Sequence, residues 1–373
     1  MTPIPQTDPR AGYLEHKTAI DDAVARVLDS GWYILGREAE AFEARFADVI
    51  GVGHAIGCAN GTDAIELALR ACGIGAGDLV FTVSHTAVAT VAAIERAGAT
   101  AVLVDIEEGG FCMGPDALEQ ALKAPPPRGR PAAVMSVHLY GEPAAMVEIV
   151  GLARAHGLRV IEDSAQSHGA LYQGVATGAI GDFGCFSFYP TKNLGALGDA
   201  GAVVTNDPAL AAAAREIREY GWRDRYVSAE PGINSRLDPI QAAILGAKIG
   251  SLATDNARRQ AISARYDAGL AGLPLTLPGR RTGATHVFHQ YVVRAPKRDA
   301  LREHLRGAAM GTGIHYPLPV HLHPAYRDRV PAGSAGLSRS EAATREILSL
   351  PMYPQLADAA VERVIAEIRR FFL

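Results

Sequence analysis

Short apolar runs of β character alternate with amphipathic helical runs through the first 220 residues, and this alternation restricts the fold more than any other property of the chain. Residues 79–83, 101–104, 132–137, 158–161 and 201–205 read as strands, with helical segments such as 146–156 and 208–220 between them. Apolar strands separated by helices call for a mostly parallel sheet covered by helices on both faces, an α/β fold. A long helical run from 238 to about 268 leads into a different region. There 286–293 reads as a strand, 299–308 as a helix, 313–315 as a strand and 359–370 as a closing helix. The expectation is a large domain over 1–250 and a smaller C-terminal α+β domain over 251–373.

Composition agrees with two domains. The chain has 373 residues, 48% of them hydrophobic, and single cores stop growing beyond about 250–300 residues. Lys and Arg number 36 against 40 Asp and Glu. Without a basic field nucleic acid is not an expected partner, and an anionic substrate has to be captured by local groups. No stretch approaches the roughly 18–20 apolar residues of a membrane helix, and the polar segment 1–10 is unlike a secretory leader, so a cytoplasmic protein is expected. Cys58, Cys72, Cys112 and Cys185 lack metal-ligand spacing and read as buried thiols of a reducing compartment. Repeats are absent, and Pro125-Pro126-Pro127-Arg128-Gly129-Arg130-Pro131 reads as a stiff surface connection.

The chemistry concentrates in three motifs. In Phe186-Ser187-Phe188-Tyr189-Pro190-Thr191-Lys192-Asn193-Leu194-Gly195 a lone lysine sits on a turn between an apolar run and a Gly-containing loop. Burial lowers an amine's pKa, and the neutral amine can then form a Schiff base with an aldehyde. Alone, Lys192 reads more readily as an ordinary surface lysine in a loop. In Val160-Ile161-Glu162-Asp163-Ser164-Ala165-Gln166 a strand ends in acidic and small residues. Ligands of open α/β sheets bind outside the carboxyl ends of strands, so Asp163 can face a protonated pyridine nitrogen; Asp163 with Gln166 also reads as a helix-capping pair. In Cys58-Ala59-Asn60-Gly61-Thr62-Asp63-Ala64 small polar residues run into a helix, whose first free N–H groups suit a phosphate. The same residues can serve only as caps, and Asp63 repels a phosphate unless its side chain turns away.

Together these motifs resemble the fold-type I pyridoxal phosphate enzymes, specifically the DegT/DnrJ/EryC1/StrS sugar aminotransferases. The likeness runs nearly end to end. It includes Ser30-Gly31-Trp32-Tyr33-Ile34-Leu35-Gly36, Val137-His138-Leu139-Tyr140-Gly141, Gly232-Ile233-Asn234-Ser235-Arg236-Leu237-Asp238 and Ile314-His315-Tyr316-Pro317. The resemblance implies pyridoxal 5'-phosphate as cofactor, with Lys192 forming its Schiff base, Asp163 pairing with the ring nitrogen and Gln166 meeting the ring hydroxyl. Gly61, Thr62 and Ser187 would hold the phosphate. Asn234 would reach the cofactor phosphate of a neighbouring subunit, which implies a homodimer with composite sites. The chain departs from the family in one place: many relatives carry an aromatic residue after the Thr of the segment that reads here Ser84-His85-Thr86-Ala87. His85 is the candidate to cover the ring instead, or it bonds a nearby carbonyl.

Tyr33, Tyr189, Arg236, His315 and His321 are candidate substrate contacts. The cluster His315, His321 and His323 has no carboxylate or Cys at ligand spacing, so no metal is expected. Tyr220-Gly221-Trp222-Arg223-Asp224-Arg225-Tyr226 has the aromatics and arginines to stack on a base and pair with phosphates, or it is a surface loop with its own Arg–Asp contacts. The implied activity moves an amino group from an amino acid, Glu, to a 3-keto or 4-keto nucleotide-linked 6-deoxyhexose. A keto-inositol acceptor is the alternative, and a regulatory protein that only binds the cofactor a further one. A related sugar dehydratase replaces the lysine with His, so Lys192 argues against deoxygenation.

Overall fold

The computed structural model describes residues 2–373. Seven strands form the central sheet: β1 (His54–Cys58), β2 (Asp78–Val83), β3 (Thr100–Val104), β4 (Arg130–Val137), β5 (Arg159–Asp163), β6 (Phe183–Ser187) and β7 (Gly201–Thr205). Their order across the sheet is β1-β7-β6-β5-β4-β2-β3. Only β7 runs against its neighbours, pairing antiparallel with both β1 and β6. The other six point their carboxyl ends to one edge, where a ligand site of this class of sheet forms.

Burial explains why these segments are strands. All six residues of β2 and all five of β7 are buried, as expected when helices cover both faces and neither can be polar. One face packs with the helices Gly61–Ala71 and Val88–Arg96 through Ile65, Leu69, Val91 and Ile94. The other contributes Phe81, Val102 and Val160 to a core shared with Leu118 and Ile149 of further helices.

The C-terminal region has its own apolar cluster, in which Ile262, Tyr266 and Leu270 meet Tyr291, Leu348, Val364 and Ile368. Its small sheet pairs Tyr291–Arg294 with Ile347–Leu350. Ile4 packs in the same cluster, so the extreme N-terminus crosses the division drawn from sequence at residue 250.

Three elements differ from the sequence reading. The helical run from 238 is two helices, Pro239–Lys248 and Leu252–Leu270, separated by one turn of 3-10 helix at Ile249–Ser251. Gly250 and Ser251 offer little helix propensity at that junction. The strand expected over 286–293 is confined to Tyr291–Arg294; His286 instead accepts the N–H of Phe288 on Nδ1 at 2.9 Å, a local bond that bends the chain out of the sheet. Residues 313–315 form no strand beyond a single bridge between Gly313 and Ser349.

Candidate active site

The sheet edge holds a cavity of about 250 Å³ lined by residues from all three sequence motifs, among them Gly61, Thr62, Asp163, Gln166, Ser187 and Lys192. One wall is the start of the helix Gly61–Ala71. Asn60 caps it, its side chain accepting the N–H of Asp63 at 2.9 Å. That leaves the N–H groups of Gly61 and Thr62 without intrahelical partners at the positive end of the helix dipole, beside the cavity. Gly61 has to be glycine for a steric reason: a Cβ there would lie 2.6 Å from the Cβ of Ser187 at the end of β6. The close approach draws helix start and strand end into one cradle. Asp63 is turned away from it, taking Ser235 Oγ at 2.7 Å and pairing with Arg96 at 2.9 Å. The repulsive alternative is thereby removed.

Asp163 ends β5 and no helix follows it, so it is not a cap. Its carboxylate accepts Thr90 Oγ1–H at 2.8 Å and the N–H of Ala165 at 3.2 Å. Burial pushes its pKa up, while Thr90, Ala165 and the Lys192 charge hold it down. Gln166 is fixed through its carbonyl oxygen, which accepts the N–H of Tyr140 at 2.7 Å, and its amide donates to Tyr316 Oη at 3.3 Å. Lys192 stands on a turn closed by its own N–H to Tyr189 O at 2.8 Å. Desolvation lowers its amine to about 8, with Asp163 opposing. A lysine in that state is partly neutral at physiological pH and available as a nucleophile.

Beneath Asp163 the neighbouring Glu162 is fully buried and saturated with donors. It accepts His138 Nε2 at 2.9 Å and the N–H groups of Gly178, Ile180 and Gly181 at 2.7–2.9 Å. Ala144 N–H donates to His138 Nδ1, so the proton of this imidazole sits on Nε2. These bonds fix the end of β5 and hence the direction of Asp163.

His85 corrects the expectation that it covers the ring. It is fully buried and outside the cavity, with Nε2 at 2.9 Å from Tyr140 Oη and its ring beside Phe111. Strand alternation at the end of β2 sends His85 into the core and leaves the small Thr86, Ala87 and Ala89 on the cavity wall. Burial holds His85 neutral, its pKa pushed down to about 4.

Of the substrate candidates, only Tyr189 lines the cavity, with half its surface exposed. Tyr33 is exposed and donates to Leu28 O at 3.0 Å. Arg236 lies over the Tyr220 ring at 5.9 Å. His315 shares a hydrogen with Ser349 Oγ at 2.8 Å. His321 is a strap between Ser84 Oγ at 2.7 Å and Glu341 at 3.2 Å, which ties the C-terminal region to the end of β2. Asn234 is exposed and does not line the cavity. Among the described residues no group of three or more metal-ligating side chains is present. Thr86 and Ala165 on the cavity wall and Thr90 bonded to Asp163 behind it were passed over in the sequence; the pair Thr86 and Thr90, four apart at a helix start, is the signal that could have found two of them.

A planar ring bearing a phosphate, a basic nitrogen and an aldehyde fits this donor set: free N–H groups with Ser187, then Asp163, then Lys192. The sequence profile of the DegT/DnrJ/EryC1/StrS aminotransferase family matches residues 15–369. The dTDP-3-amino-3,4,6-trideoxy-alpha-D-glucose transaminase of Streptomyces venezuelae is 46% identical over 99% of this chain and 96% of its own. The erythromycin biosynthesis sensory transduction protein EryC1 of Saccharopolyspora erythraea is 45% identical over 98% and 99%. The crystal structure of S. venezuelae DesV in complex with a ketimine intermediate superposes with a TM-score of 0.95, 46% identity and 100% and 99% coverage. By the profile match and by these two relatives, the chain belongs to the DegT/DnrJ/EryC1/StrS aminotransferase family.

Proposed function

We propose that this aminotransferase uses pyridoxal 5'-phosphate to carry an amino group from Glu to a ketosugar linked to a nucleoside diphosphate, with the nitrogen placed at C3. The observation that carries the cofactor reading is the convergence of Lys192, Asp163 and the free helix-start N–H groups of Gly61 and Thr62 on one cavity. When bound, the cofactor would supply the aldehyde chemistry through which an amino group passes from donor to acceptor ketone. Gly61, Thr62 and Ser187 would hold the phosphate, Asp163 would keep the ring nitrogen protonated, and Gln166 would meet the ring hydroxyl. Lys192 Nζ, whose amine is lowered by burial in this cavity, would hold the aldehyde and would be the base that moves the proton at the donor's α-carbon. Ile65, Val137, Ala87 and Ala165 supply the apolar part of the cavity wall.

The acceptor reading draws on the name of the S. venezuelae relative, a dTDP-sugar transaminase acting at position 3. Local chemistry supports a diphosphate. The exposed hairpin of Trp222–Asp224 and Val227–Ser228 carries Arg225 and an Arg223 that pairs with Glu216 at 3.2 Å, and Arg236 lies beside Tyr220 and 4.0 Å from Glu219, so a diphosphate would compete with these carboxylates. We read the protein as a cytoplasmic homodimer in which Asn234 completes the partner's phosphate site. Trp32, Tyr226 and Val227 are more than half exposed, an apolar surface consistent with a subunit contact.

The test is incubation with Glu and a panel of dTDP- and UDP-linked 3-keto and 4-keto sugars and a keto-inositol, with the new C–N bond located by NMR. Amination of the 3-keto nucleotide sugar is expected. Amination of the keto-inositol alone would replace the nucleotide-sugar reading with an aminocyclitol one. For the composite site, mixing Lys192→Ala chains with Asn234→Ala chains should restore activity in heterodimers; a monomer at micromolar concentration would refute it.

A further inference from the structure

Thr90 touches no part of the cavity, yet it sits in a line of hydroxyls that ends on Asp163. Its Oγ1 donates to Asp163 Oδ2 at 2.8 Å and lies 2.9 Å from Thr86 Oγ1. Thr90 is fully buried, Thr86 is 2% exposed and Asp163 is 6% exposed, so water does not compete for these bonds. A hydroxyl has one hydrogen, and an ionised carboxylate can only accept. The order is therefore fixed: Thr86 donates to Thr90, and Thr90 donates to Asp163. The second carboxylate oxygen already takes the N–H of Ala165. The helix Val88–Arg96 anchors Thr90, which gives the carboxylate a rigid support.

We propose that Thr90 is a positioning residue for the cofactor: its hydroxyl, backed by Thr86, keeps Asp163 ionised and so places the shared proton on the pyridine nitrogen rather than on the carboxylate. A buried carboxylate with one fewer donor binds a proton more tightly. Removing the Thr90 hydroxyl therefore moves the proton from the ring nitrogen to Asp163, and the ring loses its positive charge. The charged and titratable groups that face Asp163 are Lys192 and His138, with Cys185 and Tyr316 also within electrostatic reach. None of the four donates a hydrogen bond to the carboxylate, so none replaces Thr90.

This inference rests on the cofactor reading above, and the experiment separates the two. The holoenzymes of wild type, Thr90→Val, Thr90→Ala and Thr90→Ser are loaded with pyridoxal phosphate carrying ¹⁵N in the ring, and the nitrogen shift is measured between pH 6.5 and 8.5. Cofactor affinity is titrated alongside, and melting of the cofactor-free proteins checks the fold. Wild type and Thr90→Ser are expected to give the shift of a protonated pyridine. Thr90→Val and Thr90→Ala are expected to move it toward that of a neutral pyridine and to weaken cofactor binding roughly tenfold, the size of one lost hydrogen bond to a charged group. A donorless variant that binds the cofactor with the wild-type nitrogen shift overturns the role of Thr90 alone. A neutral-pyridine shift in wild type overturns the proposal too, whereas no Schiff base at Lys192 overturns the cofactor reading itself.

Discussion

Replacing Gly61 with Ala tests whether the phosphate cradle depends on a close approach of helix and strand. The added Cβ would lie 2.6 Å from Ser187 Cβ and 3.2 Å from both its Cα and its Oγ. Carbon atoms in ordinary contact sit about 3.5–4.0 Å apart, so helix start and strand end must separate by roughly 1 Å. Two effects oppose each other. Alanine favours a helix by at most about 1 kcal/mol over glycine, and less at the first position, whereas overpacking a tight contact costs about 1–3 kcal/mol. The net expectation is a loss of about 1–2 kcal/mol. A displacement near 1 Å also lengthens hydrogen bonds from the cradle beyond good geometry, so cofactor affinity should fall about tenfold or more. Gly151 is the matched control: it lies inside the helix Met146–Ala155 and a Cβ there would meet nothing within 4 Å. Gly151→Ala should stabilise by about 0.5–1 kcal/mol and leave cofactor binding alone. Denaturation midpoints of the cofactor-free proteins and fluorescence titration with pyridoxal phosphate read both effects. If Gly61→Ala behaves like Gly151→Ala in both assays, the steric argument is wrong.

Two further outcomes follow from the electrostatics. Lys192 has a folded-state pKa lowered to about 8, so its reactive neutral form grows as pH rises through that value; the rate at which cofactor-free protein captures pyridoxal phosphate should increase with pH to a plateau, with a midpoint near 8. A midpoint above 10, as for an exposed lysine, would show that burial does not tune the amine. Glu162→Gln exchanges one acceptor oxygen for a donor that faces N–H groups, leaving two of the four bonded donors without partners. At about 1–3 kcal/mol for each unsatisfied buried donor, chemical denaturation should record a loss of roughly 2–6 kcal/mol, and a change under 1 kcal/mol would refute the count.

The parts of this molecule that could be read from sequence are those in which each residue's neighbours in the chain decide its environment. The run 201–205 is a strand over the bounds expected because all five of its residues are buried between helices and the apolar pattern carries that burial. Asn60, Gly61 and Thr62 announce a helix start because capping is a bond between residues three apart. Lys192 and Asp163 could be paired only through the resemblance to known enzymes, since strand order, which brings β5 beside β6, is a long-range property.

The His85 error has the same origin. A residue just past the end of a strand faces either side according to where the strand stops and turns, and the sequence places the flat imidazole and the small Ala87 on one segment without fixing that phase. The structure puts His85 against Tyr140 and Phe111, both apolar-core neighbours, and leaves alanines on the cavity. The cavity wall at Ala87 and Ala89 is open, where an aromatic residue would have closed it. Which side of β2 its last residues occupy thus decides how wide this wall is, and substituting Ala87 with a large aromatic side chain would narrow the cavity there.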